Sequence, residues 1–316
     1  MKTAVLGATG LVGRHLVEAL GKAAVGPVVA TYRARSPYGS RDTEWLQCDL
    51  RQPEAAAAVL KNVETAIVCA GQVSTSAVLR RDPVSSIMDT LRVVANVLEA
   101  ASKRRLKRLV MISSCTLYPS LPRPIVEDDM MVGDPPAQWF GVGWMHRYTE
   151  LQLRWHVEYL QTIQAGIVLR PTLIYGRYDD FSPASGHFVP SLISKIVNRE
   201  RPIEIWGDGE QSRNLIHGSD VAGAVLAALD AQLPRHSVFN VVSPEDTTVN
   251  EAVAHLLEID GFNDADIVHD LSRSGGANAL TVSGVAMTAA TGWRPKIGLR
   301  DGLADTVAWY REALKT

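Results

Sequence analysis

The chain has 316 residues, enough as a prior for about two domains and ample for a sizeable core. With 46% hydrophobic residues and a net charge of −2 it carries no field of one sign, which argues against a nucleic acid or an anionic membrane as partner. Its longest apolar run, Val221 to Leu229, is far too short to cross a bilayer, and three cysteines (Cys48, Cys69, Cys115) without a CxxC pair fit a reducing cytoplasm.

The first strand is expected over Thr3 to Leu6, so no signal peptide is expected. Gly7, Gly10 and Gly13 follow at a spacing of three. An amphipathic helix then runs from Leu11 to about Gly21, with Leu11, Val12, His15, Leu16 and Ala19 on one face. A strand, a tight glycine turn and a helix make a phosphate cradle. Gly7 allows the turn, Gly10 lets the backbone approach a pyrophosphate, and Gly13 lets helix and strand pack closely. Thr9, Leu11 and Val12 complete the cradle. Further expected elements are a strand over Val28 to Arg33, a helix over Glu54 to Leu60 and a third strand over Thr65 to Cys69. A long helix over Ser85 to Ser102 and a fourth strand over Leu109 to Ser113 follow. The basic run Lys103 to Arg108 ends that long helix and reads as a solvated cap. The alternation predicts an α/β fold of Rossmann type, a doubly wound parallel sheet binding its ligand at the strands' carboxyl ends.

After the second strand an NAD enzyme usually places an acid for the ribose hydroxyls. Here Arg33 and Arg35 stand there instead, which suits a 2′-phosphate and favours NADP(H) over NAD(H). Asp49 and Leu50 sit where a loop reaches the adenine, and Cys69, Ala70 and Gly71 close the third strand with small residues beside the cofactor. Eight histidines show no HExxH or other metal spacing, so no metal is expected.

Four further segments carry a resemblance. Ile112 to Pro119 (ISSCTLYP), Leu169 to Gly176 (LRPTLIYG), Leu215 to Ala222 (LIHGSDVA) and Gly292 to Lys296 (GWRPK) stand in the order seen in extended short-chain dehydrogenase/reductases of the NAD-dependent epimerase/dehydratase kind. Within that family the chain is most similar to the GDP-fucose synthases, through Pro124 to Asp129, Tyr178 to Pro190 and Ile205 to Gly209. The resemblance implies NADP(H), held in part by Pro171 and Leu173, a nucleotide-sugar substrate in a smaller C-terminal α/β lobe, and a homodimer. It implies Ser114 as the serine that hydrogen-bonds the reacting oxygen and His187 as a proton-transfer histidine. Cys115 matches the companion cysteine by motif, and Thr116 matches it by ungapped count from Tyr118; these two point to opposite sides of a strand. Lys195 and Arg213 fall where basic residues would hold a diphosphate.

One family feature is missing. The Tyr-x-x-x-Lys pair supplies a phenol as acid or base and an ammonium that holds the nicotinamide ribose and lowers the phenol pKa. No tyrosine here has a lysine four residues later. Three frames through Trp139 to Glu150 put Phe140, Val142 or Trp144 at the tyrosine and Trp144, His146 or Tyr148 at the lysine.

Residues 1–170 are expected to form the dinucleotide domain, with a return over about 215–242, and 171–214 with 243–316 the substrate lobe. A helix is expected over Val142 to Leu160 and a fifth strand over Gly166 to Arg170. The return runs through His217 to Leu229 and a strand over Val238 to Val242. The last helices, Val249 to Glu258 and Leu299 to Leu314, are assigned to the lobe. The expected activity is proton-transfer epimerisation or isomerisation of a nucleotide-linked keto-sugar with bound NADP(H), through His187 and Cys115 or Thr116. One alternative is NADPH-dependent reduction with Ser114, His146 or Tyr148 as replacement acid. Another is a non-catalytic NADP(H)-binding sensor or partner.

Overall fold

The computed structural model describes residues 2–35, 43–71, 82–182, 186–273 and 280–315. Strand β1 (Thr3–Leu6) leads into helix α1 (Leu11–Ala23). Then come β2 (Val28–Tyr32), β3 (Thr43–Gln47), α2 (Pro53–Val59), β4 (Thr65–Val68), α3 (Pro83–Arg104), β5 (Arg108–Ile112), α4 (Phe140–Arg154) and β6 (Ala165–Pro171). The chain next builds β7 (Leu173–Tyr175), α5 (Phe188–Val197), β8 (Ile203–Trp206) and β9 (Ser212–His217). It returns through α6 (Gly218–Asp230) and β10 (His236–Val241). Last are β11 (Asp246–Thr248), α7 (Val249–Asp260), β12 (Ile267–Asp270), α8 (Val285–Thr291) and α9 (Leu299–Ala313).

Seven parallel strands form one sheet in the order β10-β6-β5-β4-β1-β2-β3. The Rossmann-type architecture expected from the alternating pattern is therefore present. Side chains alternate between two apolar layers, as a pleated strand requires. Ala4, Leu6, Ala66, Val68, Leu109, Met111 and Val168 pack toward α2, α3 and the end of α4. Val5, Ile67, Val110, Ile167 and Leu169 pack toward α1 and α6. A third cluster joins α5, α7 and α9 to β8 and β9.

Three details differ from the expected elements. Thr43–Gln47 is an extra strand at the sheet edge; only half of its surface is covered, so its apolar alternation is weak. Helix α4 stops at Arg154 and continues as a π turn over Trp155–Tyr159. The chain also returns to the large sheet a second time through α8, whose Met287 joins the α1–α6 layer. Two backbone N–H groups, of Lys296 and Ile297, donate to the two carboxylate oxygens of Asp220 at 2.8 and 3.0 Å. That bond pair fastens the Gly-Trp-Arg-Pro-Lys segment to α6, and Trp293 packs against Gly223.

On the α1–α6 side His15 is buried, with its ring 5.3 Å from that of His217 and 5.4 Å from that of Tyr178. Burial, then the neighbouring His217 and Arg177, lower its pKa to about 3. An unfolded histidine binds its proton near pH 6.5, whereas folded His15 does so only near 3. Between those values the unfolded chain holds more protons, so the stability contributed by the neutral ring is complete above pH 6.5 and is lost as the pH falls. Lowering the pH from 7 to 4 is expected to remove about 3 kcal/mol through this ring. Denaturant unfolding at both pH values checks it; His15→Asn should lose less over the same window than the unaltered protein.

Candidate functional site

Along the carboxyl edge of the sheet the ends of β6, β5, β4, β1 and β2 stand side by side. They carry Pro171, Ser114, Ala70, Gly7 and Arg33 in that order. The strand order reverses between β4 and β1, which is where an open parallel sheet leaves a crevice for a ligand.

The glycine loop fills the middle of that edge. Gly7 has φ +84°, and a Cβ on it would lie 2.7 Å from the Ala70 backbone, so β1 and the β4 exit touch there. A Cβ on Gly13 would lie 2.3 Å from the Gly7 carbonyl oxygen, so helix and turn touch as well. Gly10 differs. A Cβ there would meet only the Gly7 oxygen, at 3.6 Å, so nothing in the protein requires a glycine. Gly10 is the N-cap of α1, no side chain caps that helix, and its first turn holds no carboxylate. A helix start that is open, uncapped and free of negative charge fits a pyrophosphate. The loop is braced by the Gly7 N–H, which donates to Thr31 Oγ1 at 2.9 Å. Thr9 is buried beside it, and Leu11 and Val12 stand half-exposed in the first turn of α1.

Around the cradle, Arg33 and Arg35 are exposed at the end of β2. Asp49 is held by Arg51, which grips it at 2.6 Å and reaches Asp89 at 2.9 Å. That guanidinium, first by its hydrogen bonds, lowers the Asp49 carboxyl to about 2. Leu50 is buried, and its carbonyl accepts from Asn96 at 3.0 Å. The Cys69 thiol is pushed up by burial. Ala70 is half-buried and Gly71 exposed at the same strand end, Pro171 is buried at the end of β6, and Leu173 is half-buried.

At the end of β5 exposure alternates: Ser113 and Cys115 are buried, Ser114 and Thr116 half-exposed. Ser114 Oγ accepts from the Thr116 N–H at 3.1 Å and from the Thr116 hydroxyl at 3.0 Å. Its own proton is thereby left to donate to a bound oxygen. Cys115 is on the other side, packed with Leu117, Tyr118 and Ile125, and its Sγ donates to the Arg170 carbonyl at 3.1 Å. Burial pushes its thiol strongly up. The turn sets Cys115, expected as a proton carrier, on the side away from Ser114, where burial disfavours its thiolate.

Of the residues in the three α4 frames, Val142 is buried and His146 half-buried, while Phe140 and Tyr148 are exposed and the Trp144 indole donates to Asp134 at 3.2 Å. His146 Nδ1 lies 3.5 Å from Ser113 Oγ, and burial lowers its pKa to about 4. It is neutral at pH 7 and does not supply the charge of a lysine. Tyr148, expected as an alternative acid, is exposed. It lies two residues and about 200° further round the helix. There it lines an outer groove with Leu91, Val94, Ala95 and Leu98 of α3.

Two residues that the sequence reading did not single out anchor this corner. Glu150 accepts from Arg170 (Nη2, 2.6 Å; Nε, 3.1 Å) in a pair whose side chains are each 3% exposed. Ser113 Oγ donates to the same carboxylate. Both residues lie inside segments already noted for their motifs, but their pairing joins positions twenty apart and has no local signature.

In the lobe, His187 occupies the N-cap of α5 with Nδ1 3.5 Å from Asp179 Oδ1. The Asp179 side chain is buried, and its second oxygen has no partner. Asp179 is the other residue missed; it stands eight positions before His187 in a noted segment. Residues 183–185 of that segment lie outside the described residues. Lys195 on α5 donates to the Glu204 carbonyl of β8 at 3.0 Å. Arg213 lies on β9 beside the β6–β7 link, next to Asn214, whose Oδ1 accepts from the Thr172 hydroxyl at 2.7 Å. Among the described residues no group of three His, Cys, Asp or Glu is arranged to hold a metal ion, and no helix is long and apolar enough to cross a membrane.

The family model described as NAD dependent epimerase/dehydratase matches residues 3–242. The chain belongs to this family. Membership makes it an enzyme of the extended short-chain dehydrogenase/reductase class, acting as an epimerase or a reductase. Its relatives include GDP-L-fucose synthase 1 of Arabidopsis thaliana, 27% identical over 72% of this chain and 71% of that protein. The dTDP-4-dehydro-6-deoxy-D-allose reductase of Streptomyces bikiniensis is 27% identical over 97% of this chain and 95% of its own. The UDP-glucose 4-epimerase of Thermotoga maritima, solved with UDP-glucose, shares the fold with a TM-score of 0.87 over 99% of this chain and 100% of that one, at 24% identity.

The glycines of this family fold make separable demands. Gly13→Ala is expected to destabilise the protein by about 1–3 kcal/mol, because a methyl group would overlap backbone on both sides. Gly10→Ala should unfold at nearly the normal denaturant concentration yet bind dinucleotide at least about tenfold more weakly. Denaturant melts and cofactor titration of the two variants check this.

Proposed function

We propose that the enzyme moves protons on a nucleotide-linked keto-sugar while NADP(H) is bound, as an epimerase or isomerase. The observation that carries this reading is the corner around Ser113. It holds a neutral His146, and no tyrosine of the chain has the lysine four residues on that assisted hydride transfer uses. Residues suited to proton transfer are present beside the same edge and in the lobe. A ketone acidifies the carbon next to it, so this chemistry does not need the missing pair. In this reading Ser114 donates its free hydroxyl proton to the carbonyl oxygen as charge develops there. His187, oriented through Nδ1 by Asp179, exchanges a proton through its other nitrogen. Thr116 keeps Ser114 turned outward, and Arg213 and Lys195 are assigned to the diphosphate. The nicotinamide cofactor supplies hydride capacity when bound, and Gly7, Thr9, Gly10, Leu11, Val12, Gly13, Asp49, Leu50, Ala70, Gly71, Pro171 and Leu173 are assigned to hold it.

Net reduction is the second reading. It is favoured by the likeness, along 97% of the chain, to a dTDP-keto-sugar reductase. Incubation of the enzyme with NADPH and nucleotide-linked 4-keto-6-deoxy sugars in deuterated water separates the two. The proton-transfer reading expects deuterium at carbons beside the carbonyl without loss of NADPH, and at least about a hundredfold less exchange in His187→Ala. Stoichiometric NADPH oxidation without exchange would decide for the reductase.

The preference for NADP(H) rests on Arg33 and Arg35, two exposed cations where an acid would select NAD. Arg33→Ala with Arg35→Ala is expected to weaken NADPH binding about tenfold or more and to leave NADH within about twofold. Fluorescence titration with both cofactors checks it. A homodimer fits the outer groove between α3 and α4, where Tyr148 lies against Leu91, Val94 and Leu98. A cytoplasmic location fits three free thiols.

A further inference from the structure

We propose that Ser113 and Glu150 are positioning residues that hold His146 as a proton acceptor, with its hydrogen on Nδ1 and its lone pair on Nε2. The inference rests on the proton-transfer reading of the site and assigns that reading a second base.

The hydrogen-bond inventory carries it. A serine hydroxyl has a single proton. Ser113 donates it to Glu150 Oε1, and a carboxylate engaged by Arg170 has no hydrogen to return. Toward His146 Nδ1, 3.5 Å away, Ser113 Oγ therefore offers only a lone pair. That lone pair is satisfied by an N–H. A neutral imidazole carries one hydrogen, so placing it on Nδ1 leaves Nε2 as the acceptor. No group among the described residues bonds to Nε2.

The sheet explains why these three groups meet. Leu109 and Met111 pack on the α2–α3 side, and Ser113 continues their row at the end of β5. On β6, Val168 and Arg170 share that side. Helix α4 lies over it, and His146 and Glu150, four residues apart, fall on one face of the helix. The buried Arg170 pins Glu150, Glu150 takes the serine proton, and the serine sets the imidazole.

A base so prepared takes the proton from the carbon beside a sugar carbonyl onto Nε2. The C–H electron pair becomes the C=C of the enolate, and the carbonyl oxygen takes the charge, facing the Ser114 hydroxyl. Return of a proton from His187 to the opposite face of that carbon would invert it. The opposite tautomer would make His146 a donor instead, which is what a reductase acid requires.

The test reads the tautomer directly, without substrate or cofactor. Protein labelled with 15N-histidine is examined at pH 7 by long-range 1H–15N correlation, with His146→Gln identifying the ring. The expected result is a neutral ring protonated on Nδ1, a shift of the proton toward Nε2 in Ser113→Ala, and a return to the original state in Ser113→Thr. Deuterium exchange into a keto-sugar should fall about tenfold or more in Ser113→Ala and recover in Ser113→Thr. A ring protonated on Nε2 in the unaltered protein, or one indifferent to Ser113→Ala, overturns the proposal, and the unaltered protein alone suffices if Ser113→Ala does not fold. Failure of the proton-transfer reading itself would show separately, as absent exchange in a protein whose tautomer is as expected.

Discussion

Arg170 and Glu150 meet in a place where neither can be left alone. Both side chains are almost fully buried, and the guanidinium spends its remaining donors on the Tyr118 hydroxyl at 2.6 Å, the Glu127 carbonyl at 2.8 Å and Met130 Sδ at 3.2 Å. Tyr118 passes the contact on by donating to Asn240 Oδ1 at 2.7 Å, and the Asn240 N–H donates to Glu127. One cation thus links β6, α4, the turn after β5, the turn over Glu127–Met131 and β10. Such a pair is not intrinsically more stabilising than a well-packed apolar contact, but losing one partner strands the other charge, at a cost of about 3–5 kcal/mol. Its effect here is geometric. It fixes the register of α4 over the sheet, and with it the positions of Ser113 and His146.

The nucleotide side of the site depends on a different constraint. Gly7 and Gly13 are small because backbone must touch backbone, at the β4 exit and at the first turn of α1. Gly10 is small although the protein leaves room for a methyl group. Two of the three glycines therefore answer to packing, and the third does not.

In the substrate half the decisive feature is an absence of charge. A lysine beside Ser114 would bring a fixed cation to a nicotinamide ribose and to a neighbouring phenol. A buried imidazole with a pKa of about 4 brings neither. The same environment that removes the cation leaves a neutral ring able to accept a proton. The chemistry assigned to the edge of β5 follows from that exchange of roles, with the outward Ser114 and Thr116 hydroxyls retained and the inward Cys115 set aside.

Much of this was legible in the residues themselves. Apolar runs of four or five residues alternating with amphipathic stretches define the parallel sheet, because both faces of such strands are buried and leave no alternation to confuse. The glycine spacing marks the strand–turn–helix start of the chain. The edge strand Thr43–Gln47 has no clear signal in the sequence because half-covered strands dilute their own pattern. Sequence position by itself determined which residues stand at the strand ends, since chain order dictates that. Which way Cys115, His146 and Tyr148 face, and which distant partners Glu150 and Asp179 take, was decided only by tertiary structure. Those outcomes depend on a turn after β5, on the rotation of α4 about its axis, and on a salt bridge between residues twenty positions apart, none of which leaves a periodic trace along the chain.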